Sequence, residues 1–386
     1  MSDQSNRKQS IVTRVAQALH FVEAETGAVV PAIQPAATYA RDENYEVRKP
    51  YWYRRDGSQT TAHAEAIIAE LENGAESLLF SSGMSACTAV IEHLPTGAHV
   101  VVPKVMYHGV LQQIQNYEKN KRITVSHYNA GNLGELASAV RAGETQLVWV
   151  ETPNNPNWEV TDIAAAAEIA HEVGAKLIAD CTATPPSMTR ALELGADISF
   201  HSATKYLNGH SDITAGVLSV KETGQFWDDI AMVRKLQGTV LHSQDAWLLI
   251  RGMRTLFLRV ERSCKNAMAI ATHFEGHPHI EAVLYPGLAS DPGHEVAKRQ
   301  TGGQFGGMMS IIIKGTEQTA IDVTRFCELF YPATSLGGVE SLVEHRKTVS
   351  GEGFPVHPRL LRLSIGIEEA DDLIYDLEQA LARACG

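Results

Sequence analysis

The chain of 386 residues carries 33 Lys and Arg against 45 Asp and Glu, a formal net charge of −12, with 44% hydrophobic and 20% charged residues. That length fits two domains with a large core, and the acidic balance argues against a nucleic-acid binder, which would show a concentrated basic face. No apolar run approaches the roughly 18 residues of a membrane helix, and the polar start MSDQSNRKQS has no secretory h-region, so no membrane association and a cytoplasmic location are expected. The five cysteines (Cys87, Cys181, Cys264, Cys327, Cys385) are scattered and lack a C-x-x-C pair. They read as small buried hydrophobes in a reducing compartment rather than as disulfides or a zinc site.

Residues 1–49 mix polar positions with the run Gly27-Ala-Val-Val-Pro31 and read as an extended arm contacting a partner subunit. Over 62–73, Ala64, Ile67, Ile68 and Leu71 fall on one helix face, and Gly74 supplies a stop. The run Ser77–Phe80 reads as a strand that opens into Ser81-Ser-Gly-Met-Ser-Ala86 and a helix over 86–93. Short apolar runs bounded by turn residues predict further strands at 99–103, 147–150, 176–180 and 198–201, with an alanine-rich helix at 163–173 between the second and third. Strand, helix, strand in succession implies an α/β fold, a mostly parallel central sheet with helices on both faces. Residues 50–240 read as this large domain. From 241 to 386 the pattern changes to helices at 244–256 and 261–273, strands at 308–313 and 361–365, and a final helix at 371–383. That segment reads as a smaller C-terminal α+β domain.

Ligands of parallel sheets sit beyond the C-terminal strand ends, where Glu151, Asp180 and His201 stand. Lys205 follows the last of these in Ser202-Ala-Thr-Lys-Tyr206. A desolvated lysine amine readily forms an imine with an aldehyde, and Ser202 and Thr204 offer hydroxyls to a phosphate; on this pentapeptide alone, a surface lysine is the simpler reading. Asp180 ends an apolar strand, where an unpaired carboxylate is costly. A pyridinium nitrogen would partner it; a helix N-cap or a metal ligand are the alternatives, the latter without a second ligand at metal spacing. The turn around Gly83 and Met84 could present free amides to phosphate, or be a routine strand-to-helix turn. Tyr107 could stack on a planar cofactor or simply be core. The cluster His273, His277 and His279 with Glu275 and Glu281 reads as a solvated turn, not a metal site.

His201-Ser-Ala-Thr-Lys-Tyr-Leu-Asn-Gly-His-Ser-Asp212 resembles the lysine motif of the Cys/Met-metabolism family of pyridoxal-phosphate enzymes, which includes cystathionine γ-synthase, the cystathionine lyases and methionine γ-lyase. Supporting segments follow in the family's order: Ser82-Gly-Met84, Glu151-Thr-Pro-Asn-Asn-Pro156, Arg251-Gly-Met-Arg-Thr-Leu256, Ser335-Leu-Gly-Gly-Val-Glu-Ser-Leu342 and Leu361-Arg-Leu-Ser-Ile-Gly-Ile-Glu368. The resemblance implies pyridoxal-phosphate fold type I, as in aspartate aminotransferase, and pyridoxal 5'-phosphate as cofactor. It implies Lys205 as the Schiff-base lysine and acid/base, Asp180 on the ring nitrogen, Tyr107 stacked and sharing the proton transfer, and Asn155 near the ring hydroxyl. Gly83, Met84, Ser202 and Thr204 would cradle the phosphate. Arg362, helped by Ser335, would grip the substrate α-carboxylate. Tyr53 and Arg55 match a Tyr-x-Arg that reaches the neighbouring subunit's phosphate, so a homodimer is the minimum unit and a tetramer is typical of the family.

The expected reaction is γ-elimination or γ-replacement on a γ-substituted, homoserine-derived or sulfur L-amino acid, as in cystathionine γ-synthase. Departures gather around the distal pocket: Asp56-Gly-Ser-Gln-Thr60 follows Tyr-x-Arg, Cys181-Thr-Ala183 follows Asp180, Thr334 precedes Ser335, Gly109 follows Tyr107 by two, and Arg346-Lys-Thr-Val-Ser350 with a shortened loop to His357 replaces the usual Pro-Ala-Ser-Met-Thr-His. These changes leave open a dedicated γ-lyase for an O-linked substrate such as canavanine, with Arg54 and Asp56 meeting its side chain. β-Lyase, aminotransferase and non-catalytic cofactor-binding readings stand further back.

Overall fold

Runs of valine, leucine and isoleucine buried on both faces build the centre of the molecule, a seven-stranded sheet seen in a computed structural model that describes residues 9–48, 50–350 and 354–386. Residues 1–8 and 49 of the expected arm, and 351–353 of the altered loop, lie outside the described residues. The strands are β1 (Glu76–Phe80), β2 (Ala98–Pro103), β3 (Ile123–Tyr128), β4 (Thr145–Glu151), β5 (Lys176–Asp180), β6 (Ile198–His201) and β7 (Gly216–Val220), in the order β1-β7-β6-β5-β4-β2-β3. β3, β2, β4, β5 and β6 run parallel, while β7 is antiparallel to both neighbours. Val100–Val102, Leu147–Val150 and Leu177–Ala179 are fully buried, as strands covered by helices on both sides require.

Five of these strands match the expected runs to within two residues at either end. β3 and β7 do not announce themselves in the sequence, for different reasons. β3 lies at the sheet edge, and its Thr124, Ser126 and His127 break the apolar run. β7 returns antiparallel, so no crossover helix separates it from β6; the connection is instead the loop that carries Lys205.

A second sheet holds β8 (Ile280–Leu284), β9 (Met308–Ile313), β10 (Tyr331–Pro332), β11 (Leu342–His345) and β12 (Leu360–Ser364), in the order β10-β11-β12-β9-β8. The helices Leu256–Phe274 and Ala370–Cys385 pack their apolar faces on it through Ile270, Phe274, Leu373 and Leu377, against Met309, Ile311 and Leu363. The helix Ser243–Met253 packs instead on Gln59–Glu72 of the first layer. The two sheets are tied by Trp158, whose Nε1 donates to Ser310 Oγ on β9 at 2.8 Å. Ser310 Oγ in turn donates to Pro156 O at 2.8 Å, which pins the loop after β4 against the second sheet. No described helix is long and apolar enough to cross a membrane.

Candidate active site

The C-terminal ends of β4, β5 and β6 face the second sheet across a cavity of roughly 570 Å³. Lys205 enters it from the loop after β6. That loop is clamped from below by Arg259, whose Nη1 donates to Tyr206 O at 2.9 Å and whose Nη2 donates to Gly252 O at 2.8 Å. The Lys205 amine donates to Ser335 Oγ at 2.6 Å. Burial, and secondarily the Arg362 charge, lower its pKa from 10.5 to about 8, with Glu344 opposing. An amine so placed is neutral for an appreciable fraction of the time near neutral pH.

Asp180 and Glu151 sit opposite each other at the ends of β5 and β4. Burial raises the pKa of both; Glu151 is pushed up to about 8, by desolvation first and the Asp180 charge second. Asp180 Oδ1 accepts from Thr182 N at 2.9 Å, and hydrogen bonding from Thr182 opposes the burial that raises its pKa. Thr182 Oγ1 also accepts from Ser202 N at 2.9 Å, joining the Asp180 turn to the Lys205 loop. Glu151 accepts from Tyr107 N at 2.6 Å and from Asn155 N at 2.8 Å. One carboxylate thus sets the backbone of two candidate residues. The sequence offers Glu151 as a strand end and the start of the 151–156 segment, and Thr182 only within the departure after Asp180, with a role for neither, because a side chain that acts by holding another residue's backbone leaves no spacing pattern.

Gly83 and Met84 begin the helix Gly83–Glu92, whose N-cap Ser82 forms a capping box with Ser85. The box uses the amides of Ser82 and Ser85, and those of Gly83 and Met84 remain as first-turn donors beside the cavity. A Cβ at Gly83 would stand 3.2 Å from Ser202 Oγ, closer than side chains normally pack. Ser202 and Thr204 line the same end of the cavity.

The second sheet supplies the opposite wall. Arg362 on β12 donates from Nη2 to Ser335 O at 2.9 Å and from Nη1 to Asn155 Oδ1 at 3.3 Å. Ser335 adopts φ 99°, unusual for a residue with a Cβ, and is held there between Lys205 on its hydroxyl and Arg362 on its carbonyl. Glu344 and Arg346, whose roles the sequence did not reveal, complete the wall: Glu344 Oε2 lies 2.8 Å from Arg362 Nη2 and 2.6 Å from Arg346 Nη1.

The cavity therefore gathers Lys205, Asp180, Tyr107, Gly83, Met84, Ser202, Thr204, Asn155, Ser335 and Arg362. It does not include Tyr53 and Arg55 of the same chain. These stack on each other, with the guanidinium 4.6 Å from the ring centroid, on the partly exposed segment before the helix Gln59–Glu72. Arg54, expected near a substrate side chain, instead donates to Leu241 O at 2.9 Å and Ser243 Oγ at 2.5 Å, and Asp56 pairs with Lys235. His201 also turns away: its Nε2 meets Glu72 Oε1 at 2.5 Å on the far face of the sheet, both side chains fully buried. His273 and His277 both contact the Glu378 carboxylate.

The model of the Cys/Met metabolism PLP-dependent enzymes matches residues 13–382. The chain belongs to that family. It is 39% identical to a cystathionine β-lyase of Coxiella burnetii and 38% identical to a cystathionine γ-synthase of Mycobacterium bovis, in each case over 99% of this chain and 100% of the relative. A crystal structure of cystathionine γ-synthase from Xanthomonas oryzae pv. oryzae in complex with cystathionine superposes with a TM-score of 0.94 at 34% identity, covering 98% of this chain and 99% of that one. As a member of this family the chain is a pyridoxal-phosphate enzyme of fold type I, so the α/β expectation holds. The residues present fit the cofactor. Lys205 would offer an amine of lowered pKa to the aldehyde, the Asp180 carboxylate would meet the pyridinium N–H, and the Gly83 and Met84 amides with Ser202 and Thr204 would take the phosphate.

Proposed function

We propose that the chain catalyses γ-replacement or γ-elimination on a γ-substituted L-amino acid, a homoserine ester or a sulfur amino acid, in the manner of a cystathionine γ-synthase. The observation that carries this reading is Ser335, which joins the proton-carrying amine of Lys205 to the guanidinium of Arg362 within one short segment. Bound pyridoxal phosphate supplies an electron sink conjugated to the substrate's amino group. Arg362 holds the α-carboxylate and so presents the α-carbon to Lys205. The Lys205 amine, near pKa 8, would take the α-proton, hold it as the ammonium and return it to a substrate carbon. Tyr107, which lines the same cavity, would flank the bound cofactor and, with Lys205, would move the β-proton whose loss allows the γ-substituent to leave. Asp180 would face the ring nitrogen, whose positive charge would offset the burial that raises the carboxyl's pKa.

The whole-length likeness to cystathionine enzymes supports this substrate class. The canavanine reading finds no support among those relatives. Its physical basis is also gone, because Arg54 and Asp56 are engaged within the fold, while the cavity wall carries the additional cation Arg346.

The exposed placement of Tyr53 and Arg55, with Val29, Val30 and Ile33 exposed on the arm and Trp52 exposed just beyond it, supports a homodimer in which Tyr53 and Arg55 complete the partner's phosphate site, and a tetramer of two such pairs. In this reading residues 1–49 form the arm, 50–240 the cofactor domain and 241–386 the smaller domain. Five free cysteines support a cytoplasmic location.

The deciding experiment is release of 2-oxobutyrate and ammonia from O-acetyl- and O-succinylhomoserine, cystathionine and methionine, each with and without cysteine. Suppression of the oxo acid by cysteine, with cystathionine appearing, is the expected result. Pyruvate from cystathionine as the main product would make the chain a β-lyase instead.

A further inference from the structure

The wall of the cavity beyond Arg362 holds three polar atoms without partners among the described residues: Glu344 Oε1, Arg346 Nε and His108 Nδ1. All three residues line the same cavity. Glu344 and Arg346 are 4% and 3% exposed at their side chains, so their pairing is a buried one. Folded proteins rarely leave a buried donor and a buried acceptor both unmet within one ion pair. The charges around them sharpen the point. Arg362 and Arg346 contribute two positive charges and Glu344 one negative, and a substrate α-carboxylate on Arg362 brings the group to neutrality. A distal substituent of either net sign would then stand uncompensated in a desolvated wall. A distal group carrying both an ammonium and a carboxylate would not, and it would meet the orphaned acceptor and the orphaned donor together.

We propose that Glu344 and Arg346 form the seat for the distal amino-carboxylate end of the substrate, the part that cysteine contributes to a thioether, with Glu344 accepting from the ammonium and Arg346 donating to the carboxylate. This rests on the γ-replacement reading above and names its second-substrate specificity residues. His108, at the uncapped start of the helix His108–Lys119, borders the carboxylate side.

The test is steady-state replacement on O-acetyl-L-homoserine by the holoenzyme with four thiols: cysteine, 3-mercaptopropionate, cysteamine and 2-mercaptoethanol. They carry both charges, the carboxylate alone, the ammonium alone and neither. Cysteine is expected to exceed the others in kcat/KM by about 10- to 100-fold, the worth of a charge-assisted hydrogen bond. Arg346→Leu is expected to raise KM for cysteine and 3-mercaptopropionate by a similar factor, and to affect cysteamine and 2-mercaptoethanol less and alike. Arg346→Lys restores part of the cysteine preference and controls for folding, together with the cofactor absorbance of each variant. Equal losses across the four thiols, or an unchanged KM for cysteine, would overturn the seat. Ordinary oxo-acid release with no thiol discrimination in the wild type would overturn the seat alone. No oxo acid from any homoserine ester would overturn the activity reading and the seat with it.

Discussion

Glu344 and Arg362 are direct cross-strand partners on β11 and β12, and the guanidinium lies 2.8 Å from the carboxylate with both side chains about 5% exposed. The pair is therefore part of the sheet's register rather than a chance surface contact. Its desolvation is compensated by Arg346 on the same oxygen and by Ser335 O and Asn155 Oδ1 on the guanidinium. Burial lowers the Arg362 pKa to about 10, which leaves it a cation at any working pH.

Replacing Arg362 by leucine removes the α-carboxylate partner and leaves Glu344 with one cation. A loss of kcat/KM of about 10²- to 10³-fold is expected, because truncating one member of a buried charged pair costs roughly 2–5 kcal/mol. The loss should appear mainly in KM and be shared by all amino-acid substrates. A substrate-dependent loss would mean that Arg362 reads the side chain instead.

In the proposed mechanism Lys205→Ala removes both the attachment point and the base. Activity on every substrate should fall by about 10²- to 10⁴-fold or more, the usual worth of a positioned acid/base, and the visible absorbance of lysine-bound cofactor should vanish. Turnover at the parent rate would exclude Lys205.

The pH dependence of cofactor attachment follows from the Lys205 environment. Only the neutral amine attacks the aldehyde, and its pKa is lowered from 10.5 to about 8. Attachment to the apoprotein should therefore accelerate as pH rises towards about 8 and level off above it. A rate still climbing to pH 10 would mean the lysine is solvated. Stopped-flow absorbance of pyridoxal phosphate mixed with apoprotein reads this directly.

Mixing Arg55→Ala protein with Lys205→Ala protein tests the shared site. If Arg55 serves the neighbouring subunit, hybrid dimers contain one site with both residues intact, and activity should appear on mixing two weakly active or inactive variants after subunit exchange. No recovery despite exchange, measured with tagged subunits, would exclude a role for Arg55 in the neighbouring subunit's site.

On the other face of the sheet, His201→Leu would leave Glu72 with only the Ser199 hydroxyl as a side-chain partner among the described residues. Breaking a buried pair this way costs about 3–5 kcal/mol, so urea unfolding should shift to a clearly lower midpoint. An unchanged midpoint would show that the pair adds nothing net.

Much of this arrangement was legible in the chain itself. The apolar runs at Val100, Leu147 and Leu177 are buried on both faces, so periodicity and turn residues were enough to find β2, β4 and β5 and to place Asp180 at a strand end. Lys205, Gly83 and Arg362 were found through motifs, since their chemistry demands particular residue types in a particular order. His201 was the limit of that method. A strand end told nothing of which face its side chain takes, and only the pairing of β6 with its neighbours turned it towards Glu72. Glu151, Thr182, Glu344 and Arg346 belong to the same class. Each works through a contact with a residue far away in the chain, or through an atom left unpaired in a cavity. Local pattern determined the strands and singled out Lys205 and its companions as candidates, because backbone periodicity and covalent chemistry are properties of short segments. The tertiary structure decided the electrostatics of the distal wall, because burial and charge compensation exist only once β4, β11 and β12 meet across the cleft.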